Sequence, residues 1–422
     1  MLSEHELRRE IVAEMHLRRW PVVAPPCRIV QFVRVIDPDQ RENELELLCG
    51  RLGPVRLGGA QLGHPRHRDG TLGPGIGITW ERHSEASTLT LFINDTAPHN
   101  EVAKAIDWAG TMPGKVIRAT RLIVLADERE AETALPKIGF ASEDLVTCWL
   151  CPEDGERAAR IWSDFTLRRD GFGLIVVAAG HMPAPTLSRT LQRLQELGNY
   201  RNLALLGLPV ARSGWAALDR IESQLDAVNA ALTQPDTTDD DLLAQVFDLW
   251  SALIAQVSAS TYRMDATQAY AAIVEERLAD LNIRACPGHL SLTDFTQRRF
   301  LPAVRTCAAH ARRAEALVKR TGQVVALLRT RIETRIENQN GRLLASMESN
   351  ASRQLRLQQL VEGLSVVAVS YYALGIVGKV VEGVGELVPG IHAHLWGAIL
   401  APLVLLGVWR VMHVQKRRIL GH

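Results

Sequence analysis

The sequence predicts an α+β N-terminal domain followed by a long-helix, coiled-coil-like bundle and a C-terminal two-helix transmembrane hairpin. Three observations predict it. Strand-like runs are confined to residues 1–184, apolar residues recur at three- and four-residue spacing from Leu187 onward, and two nearly uncharged apolar runs follow residue 361. The expected boundaries are therefore a cytoplasmic α/β domain over 1–184, a helical stalk over 185–360 and a two-span membrane hairpin with a basic tail over 361–422.

A chain of 422 residues is too long for one ordinary hydrophobic core, so more than one structural unit is expected. The 48 Lys and Arg residues nearly balance 47 Asp and Glu residues, which leaves no global field to attract nucleic acid and no acidic excess of the disordered kind. Six cysteines, Cys27, Cys49, Cys148, Cys151, Cys286 and Cys307, are too sparse for a disulfide framework and fit a reducing compartment. Charged residues occupy the first positions where a secretory signal needs an apolar core, so the bulk of the chain is expected in the cytoplasm.

In the first domain, strands are expected at 28–35, 87–93, 120–125, 144–150, 160–167 and 172–178. Asp37-Pro38 reads as a helix start, Asp as N-cap and Pro at the first helical position, leading into 41–52. Further helices are expected at 101–109 and 127–138, and strands not strictly alternated with helices point to α+β. His64, His67 and His83 flank a glycine-rich stretch, Gly70 to Gly77, which lacks the following helix and the Lys-Ser/Thr pair of a phosphate loop and reads as a flexible surface loop. The densest chemistry is Trp80-Glu81-Arg82-His83-Ser84-Glu85, whose Glu81, Arg82, His83 and Glu85 are the candidate ligand-binding residues. Cys148-Trp149-Leu150-Cys151 has redox spacing but lies in a strand-like run, so core cysteines are expected. No Gly-x-Ser-x-Gly elbow, zincin helix or paired-carboxylate signature supports a hydrolase, and the chain reads as non-enzymatic. The alternatives are a membrane scaffold or anchor with a ligand-sensing cytoplasmic domain and a membrane-tethered enzyme using the Trp80–Glu85 region.

After Pro183 the strand patterns cease. Leu187, Leu191, Leu194 and Leu197 mark a helix, and Pro209 and the 233–239 segment break the chain beyond it into separate helices. A helix over 239–282 carries Leu243, Val246, Trp250, Leu253, Val257, Met264, Ala271, Val274, Leu278 and Leu281 as a coiled-coil-like seam. Pro287-Gly288 ends it, and Ser291 with Asp294 resembles an N-terminal cap. A second seam, Val304, Ala311, Val318, Val325, Ile332, Ile336, Leu343 and Met347, runs on without a breaker, and a helix from Pro302 to Gly378 would be about 110 Å long. One partner helix cannot cover that seam, so a homo-oligomer is expected.

From Gly363 to Gly378 the chain carries no ionisable group except two tyrosines, and from Leu387 to Trp409 it has no Asp, Glu, Lys or Arg. Trp396 and Trp409 sit near the ends of the second run, as interfacial aromatics do. Arg353 and Arg356 precede the first run, Arg410, Lys416, Arg417 and Arg418 follow the second, and Lys379 faces Glu382 and Glu386 between them. The charge bias predicts a multi-pass membrane protein with both termini cytoplasmic and the lipid bilayer as a partner.

The segments Tyr200-Arg201 with 204–209, Arg298-Arg299 with 302–307, 343–347, 354–358 and 361–365 resemble those of an uncharacterised bacterial family of membrane-anchored proteins. Trp80 to Glu85 and Glu14-Met15-His16 are similar too, and the resemblance covers nearly the whole chain; it implies no function. Two departures are Arg18-Arg19-Trp20-Pro21, where Arg-Pro is usual, and Glu348-Ser349-Asn350 in place of a basic pair. The architecture of α/β domain, very long helix, two spans and basic tail also resembles the CorA-type divalent-cation channels, which implies ion transport with a divalent cation as cargo. The Gly-Met-Asn signature of that family is replaced here by Gly375-Ile376-Val377-Gly378-Lys379. Gln358, Glu362, Ser365, Tyr372 and Lys379 share one helix face and are the candidate pore-lining residues. The competing reading has Ser365 and Tyr372 bonding the partner span while Glu362 and Lys379 mark the two interfaces.

Overall fold

A computed structural model describes residues 4–8, 11–12, 20–52, 66–140, 145–151, 158–232, 234, 237–387 and 393–419, with backbone only for 385–387, 393–397 and 415–419. The chain divides into two compact units, Met1–Val325 and Ala326–His422.

The first unit is built on one nine-stranded sheet of order β2-β3-β4-β1-β5-β8-β7-β6-β9. Its strands are β1 (Cys27–Val35), β2 (His67–Gly73), β3 (Ile76–Arg82), β4 (Ala86–Asn94), β5 (Lys115–Leu125), β6 (Val146–Leu150), β7 (Ala159–Ser163), β8 (Gly173–Ala178) and β9 (Ile283–Ala285). All neighbours are antiparallel except β5 and β8, whose register pairs Thr120 with Gly173 and Leu122 with Ile175. β1 is central, and its side chains divide by the two-residue period of a strand. Cys27 and Ile29 enter one core with Leu122, Ile161 and Val177, whereas Val30 and Phe32 enter another with Trp80 and Leu91.

Four helices cover these faces. α1 (Arg41–Leu52) and α2 (His99–Gly110) bury Leu48, Val102, Ala105 and Ala109 on the Val30 side. α3 (Glu128–Ile138) presents Ala131, Leu135 and Ile138 to Trp162, Val176 and Ala178. α4 (Ala184–Leu205) lays Leu187, Leu191, Leu194 and Leu197 on the opposite face, which explains their helical spacing. Local signals account for several ends. Asp127 accepts from the Glu130 backbone N–H at the start of α3, and Gly139 closes it at φ 66°, a left-handed position that favours glycine. Asp37, by contrast, makes no side-chain cap: a 3-10 turn over Pro38–Gln40 precedes α1 instead.

The helical part continues with α5 (Gly207–Ala231), α6 (Asp239–Asp280), α7 (Leu292–Phe295), a π-turn over Thr296–Phe300, and α8 (Leu301–Leu387); α9 (Ala393–Ile419) is last. Thr238 caps α6 by accepting from the Asp241 N–H, with three aspartates in the first turn. Ser291 and Asp294 form the expected reciprocal capping box. Between α6 and α7, β9 adds to the sheet edge through Cys148, Trp149 and Leu150. That strand corrects the expectation of a purely helical chain after residue 184; three residues with no alternating pattern carry no strand signal.

The glycine-rich stretch is also corrected. It is a β-hairpin in which Asp69 pairs with Thr79 and Gly70 with Ile78. The α8 seam is displaced as well. The buried positions in the first unit are Ala303, Cys307, His310, Ala314, Leu317, Thr321 and Val324, one residue before the expected Val304, Ala311, Val318 and Val325, which are half-buried. Their spacing of four and three is a heptad register, but it holds a cysteine, a histidine and a threonine that an apolar count passes over. On α6, Leu242 and Leu249 rather than Leu243 and Trp250 are buried, while Val246, Leu253, Met264, Ala271 and Val274 hold the expected seam.

In the second unit, every residue from Glu333 to Leu360 on α8 is exposed. α8 and α9 are separated by residues outside the described set, and no distinct two-helix hairpin is resolved among the described residues.

Candidate functional site

The sheet splits the Trp80–Glu85 segment between its two faces. On the α1 side, the Trp80 indole donates to Glu44 Oε1 at 2.9 Å and the Arg82 guanidinium donates to Glu44 Oε2 at 3.0 Å. Trp80 and Glu44 are each 1 % exposed, so Arg82 neutralises a carboxylate that has lost its water. These two residues therefore serve the fold rather than an open ligand surface.

His83 and Glu85 go to the other side, where α4 and α6 meet the β3–β4 turn. Glu85, 8 % exposed, receives Arg263 Nη1 on Oε1 at 3.0 Å and the Tyr262 hydroxyl on Oε2 at 3.4 Å. Tyr270 lies against the same carboxylate; burial first, then the Glu85 charge, raises its phenol above the ordinary range, so it is a neutral donor. His83 meets Tyr200 edge to face at 6.0 Å, and Tyr200 meets Tyr270 at 5.7 Å. Glu81 is half-buried on β3, opposite Thr88 of β4. The result is an acidic residue ringed by Tyr200, Tyr262, Tyr270, His83 and Arg263. Tyr262, Arg263 and Tyr270 were not selected from the sequence, because they lie on α6, far along the chain from the motif; the one signal available is that Arg263 and Tyr270 stand seven residues apart, each just before a seam residue, Met264 and Ala271. Such a cluster can exchange hydrogen bonds with a polar ligand or hold α6 on the sheet.

The remaining sequence candidates have plain fates. Cys148 and Cys151 are both buried free thiols, and burial pushes Cys148 up to about 12, too high for a thiolate nucleophile at neutral pH. His67 lies at the start of β2, and His64 is outside the described residues, as are Glu14, Met15, His16, Arg18 and Arg19. Among the described residues no group of three His, Cys, Asp or Glu side chains is placed to hold a metal ion.

Gln358, Glu362, Ser365, Tyr372 and Lys379 all lie on α8. Gln358 and Lys379 are exposed, Glu362 and Ser365 half-buried, and Tyr372 is 71 % exposed beside Tyr371. The Ser365 hydroxyl donates to its own helix, to Val361 O at 2.8 Å. Ser365 thus needs no partner span to satisfy it. The side chains of Glu386, Trp396, Lys416, Arg417 and Arg418 fall outside the described set.

Among the described residues, two helices are long and apolar enough to cross a membrane. One is α6, whose best window has mean hydropathy 1.4; the other lies within Leu292–Val384, with mean hydropathy 1.8 and only 6 % of the window buried. α6 spends its apolar seam on α4 and α5 inside the first unit. The α8 segment leaves Leu364, Val367, Tyr371, Ile376 and Val380 exposed. On α9 the apolar run Ala398–Val414 is shorter than a full span among described residues, and Pro402 lies within it.

No curated protein and no solved structure matches the chain. The family described as "Protein of unknown function (DUF3422)" matches residues 3–419, nearly the whole length, and the chain belongs to that family.

Proposed function

We propose that this protein is a membrane-anchored homo-oligomer of a bacterial inner membrane, non-enzymatic, whose N-terminal α/β unit is a cytoplasmic ligand-sensing body. One observation carries the anchor: the α8 window of mean hydropathy 1.8 is 6 % buried, so its leucines, valines and tyrosines have no protein cover. Water is a poor host for a contiguous apolar helix of that length, and hydrocarbon is a good one. Arg353 and Arg356 before the segment and Arg410 on α9 supply the flanking cations that hold both ends on the cytoplasmic side.

A second copy of the chain is the partner that the heptad spacing favours. Beyond the first unit, Ile336, Leu343, Met347, Leu357, Val361 and Leu364 fall on one coiled-coil register, all exposed, with Asn340, Asn350 and Gln354 at intervening core positions. Polar residues at such positions select register and copy number in coiled coils.

CorA-type conduction is a narrower version of this reading. It lacks its selectivity signature, and Ser365 of the polar stripe is already bonded to its own helix. We therefore assign the hairpin region as an anchor, with no cofactor. Fractionation of the full chain tests the assignment: retention in membranes through an alkaline carbonate wash is expected, and release into the wash contradicts it. Reconstituted liposomes holding a divalent-cation-sensitive dye are expected to show no flux. A cation gradient that discharges through the protein would instead restore the channel.

A further inference from the structure

A cavity of about 330 Å³ opens on the α4 face of the sheet beside the first residues of β5, which precede the start of β8 and do not pair with it. Val116, Ile117, Leu174, Phe165 and Thr166 are among its walls, and two guanidinium groups, Arg118 from β5 and Arg201 from α4, line it. Each arginine is only 8 % exposed. Burial of a charge is tolerated when a counter-charge meets it, and among the described residues neither arginine has a carboxylate partner.

Neutral groups hold them in place. Arg118 donates to three neutral amide oxygens, Gln31 Oε1 at 3.2 Å, Asn199 Oδ1 at 2.7 Å and Gln195 Oε1 at 2.6 Å. These amides aim the guanidinium without neutralising it. Gly198 makes room for it, since a Cβ there would stand 2.6 Å from Arg118 Nη2. Arg201 rests its guanidinium on the rings of Phe165 and Phe295, at 4.7 and 5.1 Å, and its Nη1 is buried with no hydrogen-bond partner. Desolvation lowers Arg118 to about 9 and Arg201 to about 10, and Arg201 adds repulsion to Arg118. A fold that buries two mutually repelling cations beside a cavity leaves a site short of negative charge.

We propose that this cavity is a binding site for a small phosphate-bearing molecule, the phosphate bridging Arg118 and Arg201 and the apolar walls receiving its organic body. A single head group must neutralise two cations here. A phosphate monoester carries between one and two negative charges at neutral pH, whereas a carboxylate carries one and would leave a cation uncompensated. The volume is at the small end for ligand pockets, which suits a phosphomonoester with a short carbon body rather than a nucleotide. The same head group could come from a lipid, and the test separates the two sources.

The test is thermal unfolding of the full chain in detergent at constant ionic strength. Inorganic phosphate and glycerol 3-phosphate are expected to raise the midpoint saturably in the millimolar range, and succinate is not. Saturation distinguishes a site from the linear effect of a structuring salt. Arg201→Met is expected to lose the rise while melting no lower than the native chain without ligand, because it deletes an uncompensated buried charge at similar volume. If that variant fails to fold, Thr166→Trp at the exposed rim closes the cavity without touching either arginine and is expected to abolish the rise. Phosphatidic acid micelles that compete with glycerol 3-phosphate would assign the head group to a lipid; absence of competition assigns it to a soluble ligand. An unmoved midpoint with both phosphates, an equal response to succinate, or a full response in Thr166→Trp would overturn the proposal. None of these outcomes depends on membrane insertion.

Discussion

Arg263 reaches the enclosed Glu85 carboxylate from α6 at 2.9 Å. Removing one member of so enclosed a pair leaves the other uncompensated, which costs more than the pair itself contributes. Arg263→Ala is therefore expected to destabilise the first unit by about 2–3 kcal/mol, read by denaturant unfolding, and Glu85→Gln by less. Equal stability of Arg263→Ala and the native chain would mean the pair is idle. His310 offers a pH test. It is 0 % exposed with neither ring nitrogen bonded, and burial, then Arg313, lower its pKa below the ordinary 6.5. The unfolded chain then takes up a proton that the folded chain refuses, so stability is unaffected above pH 6.5 and falls as the pH drops below it. His310→Gln should flatten that acid limb; a limb of the same slope in the variant would contradict the assignment. At this scale the sequence was legible in kind but not in partner. Trp80 to Glu85 reads as chemically dense, but Arg82, the last residue of β3, goes to Glu44 and Glu85, in the turn beyond it, to Arg263, and no spacing in the motif encodes which face receives a helix.

At the scale of elements, α3, α4 and α7 were legible because each carries its own start signal and apolar period: Asp127, the leucines from Leu187, and the Ser291–Asp294 box. The α8 seam was legible in period and wrong in phase by one residue. Ala303 ranks below its neighbour Val304, and His310 below Ala311, on an apolar scale, and only the packed bundle reveals that Ala303, Cys307, His310 and Thr321 face inward. Further along, Leu343 and Met347 are exposed, as is every residue of the same helix over 333–360. If a second copy covers them, Leu343→Asp together with Met347→Asp should reduce the particle mass measured in detergent to that of one chain. An unchanged mass would place the contact between copies elsewhere.

At the scale of the molecule, the nine-stranded sheet was visible as a strand-rich N-terminal half, but its edge strand β9 comes from the helical half and its membership follows from tertiary pairing alone. The apolar segment of α8 was visible from hydropathy, and its exposure is what hydropathy cannot supply. By contrast, α6 also has a window apolar enough to span, at mean hydropathy 1.4, and is a bundle helix, because its seam meets α4 and α5. Membrane anchoring is the claim on which the proposed function stands. The most direct measurement of it is the environment of a polarity-sensitive label placed at Val367 and at Ile399 in the full chain reconstituted into bilayers, with Glu333 as the exposed reference. An apolar signal, shielded from water-soluble quenchers, is expected at Val367 and Ile399 but not at Glu333. Water-like, quenchable signals at all three positions would contradict the account.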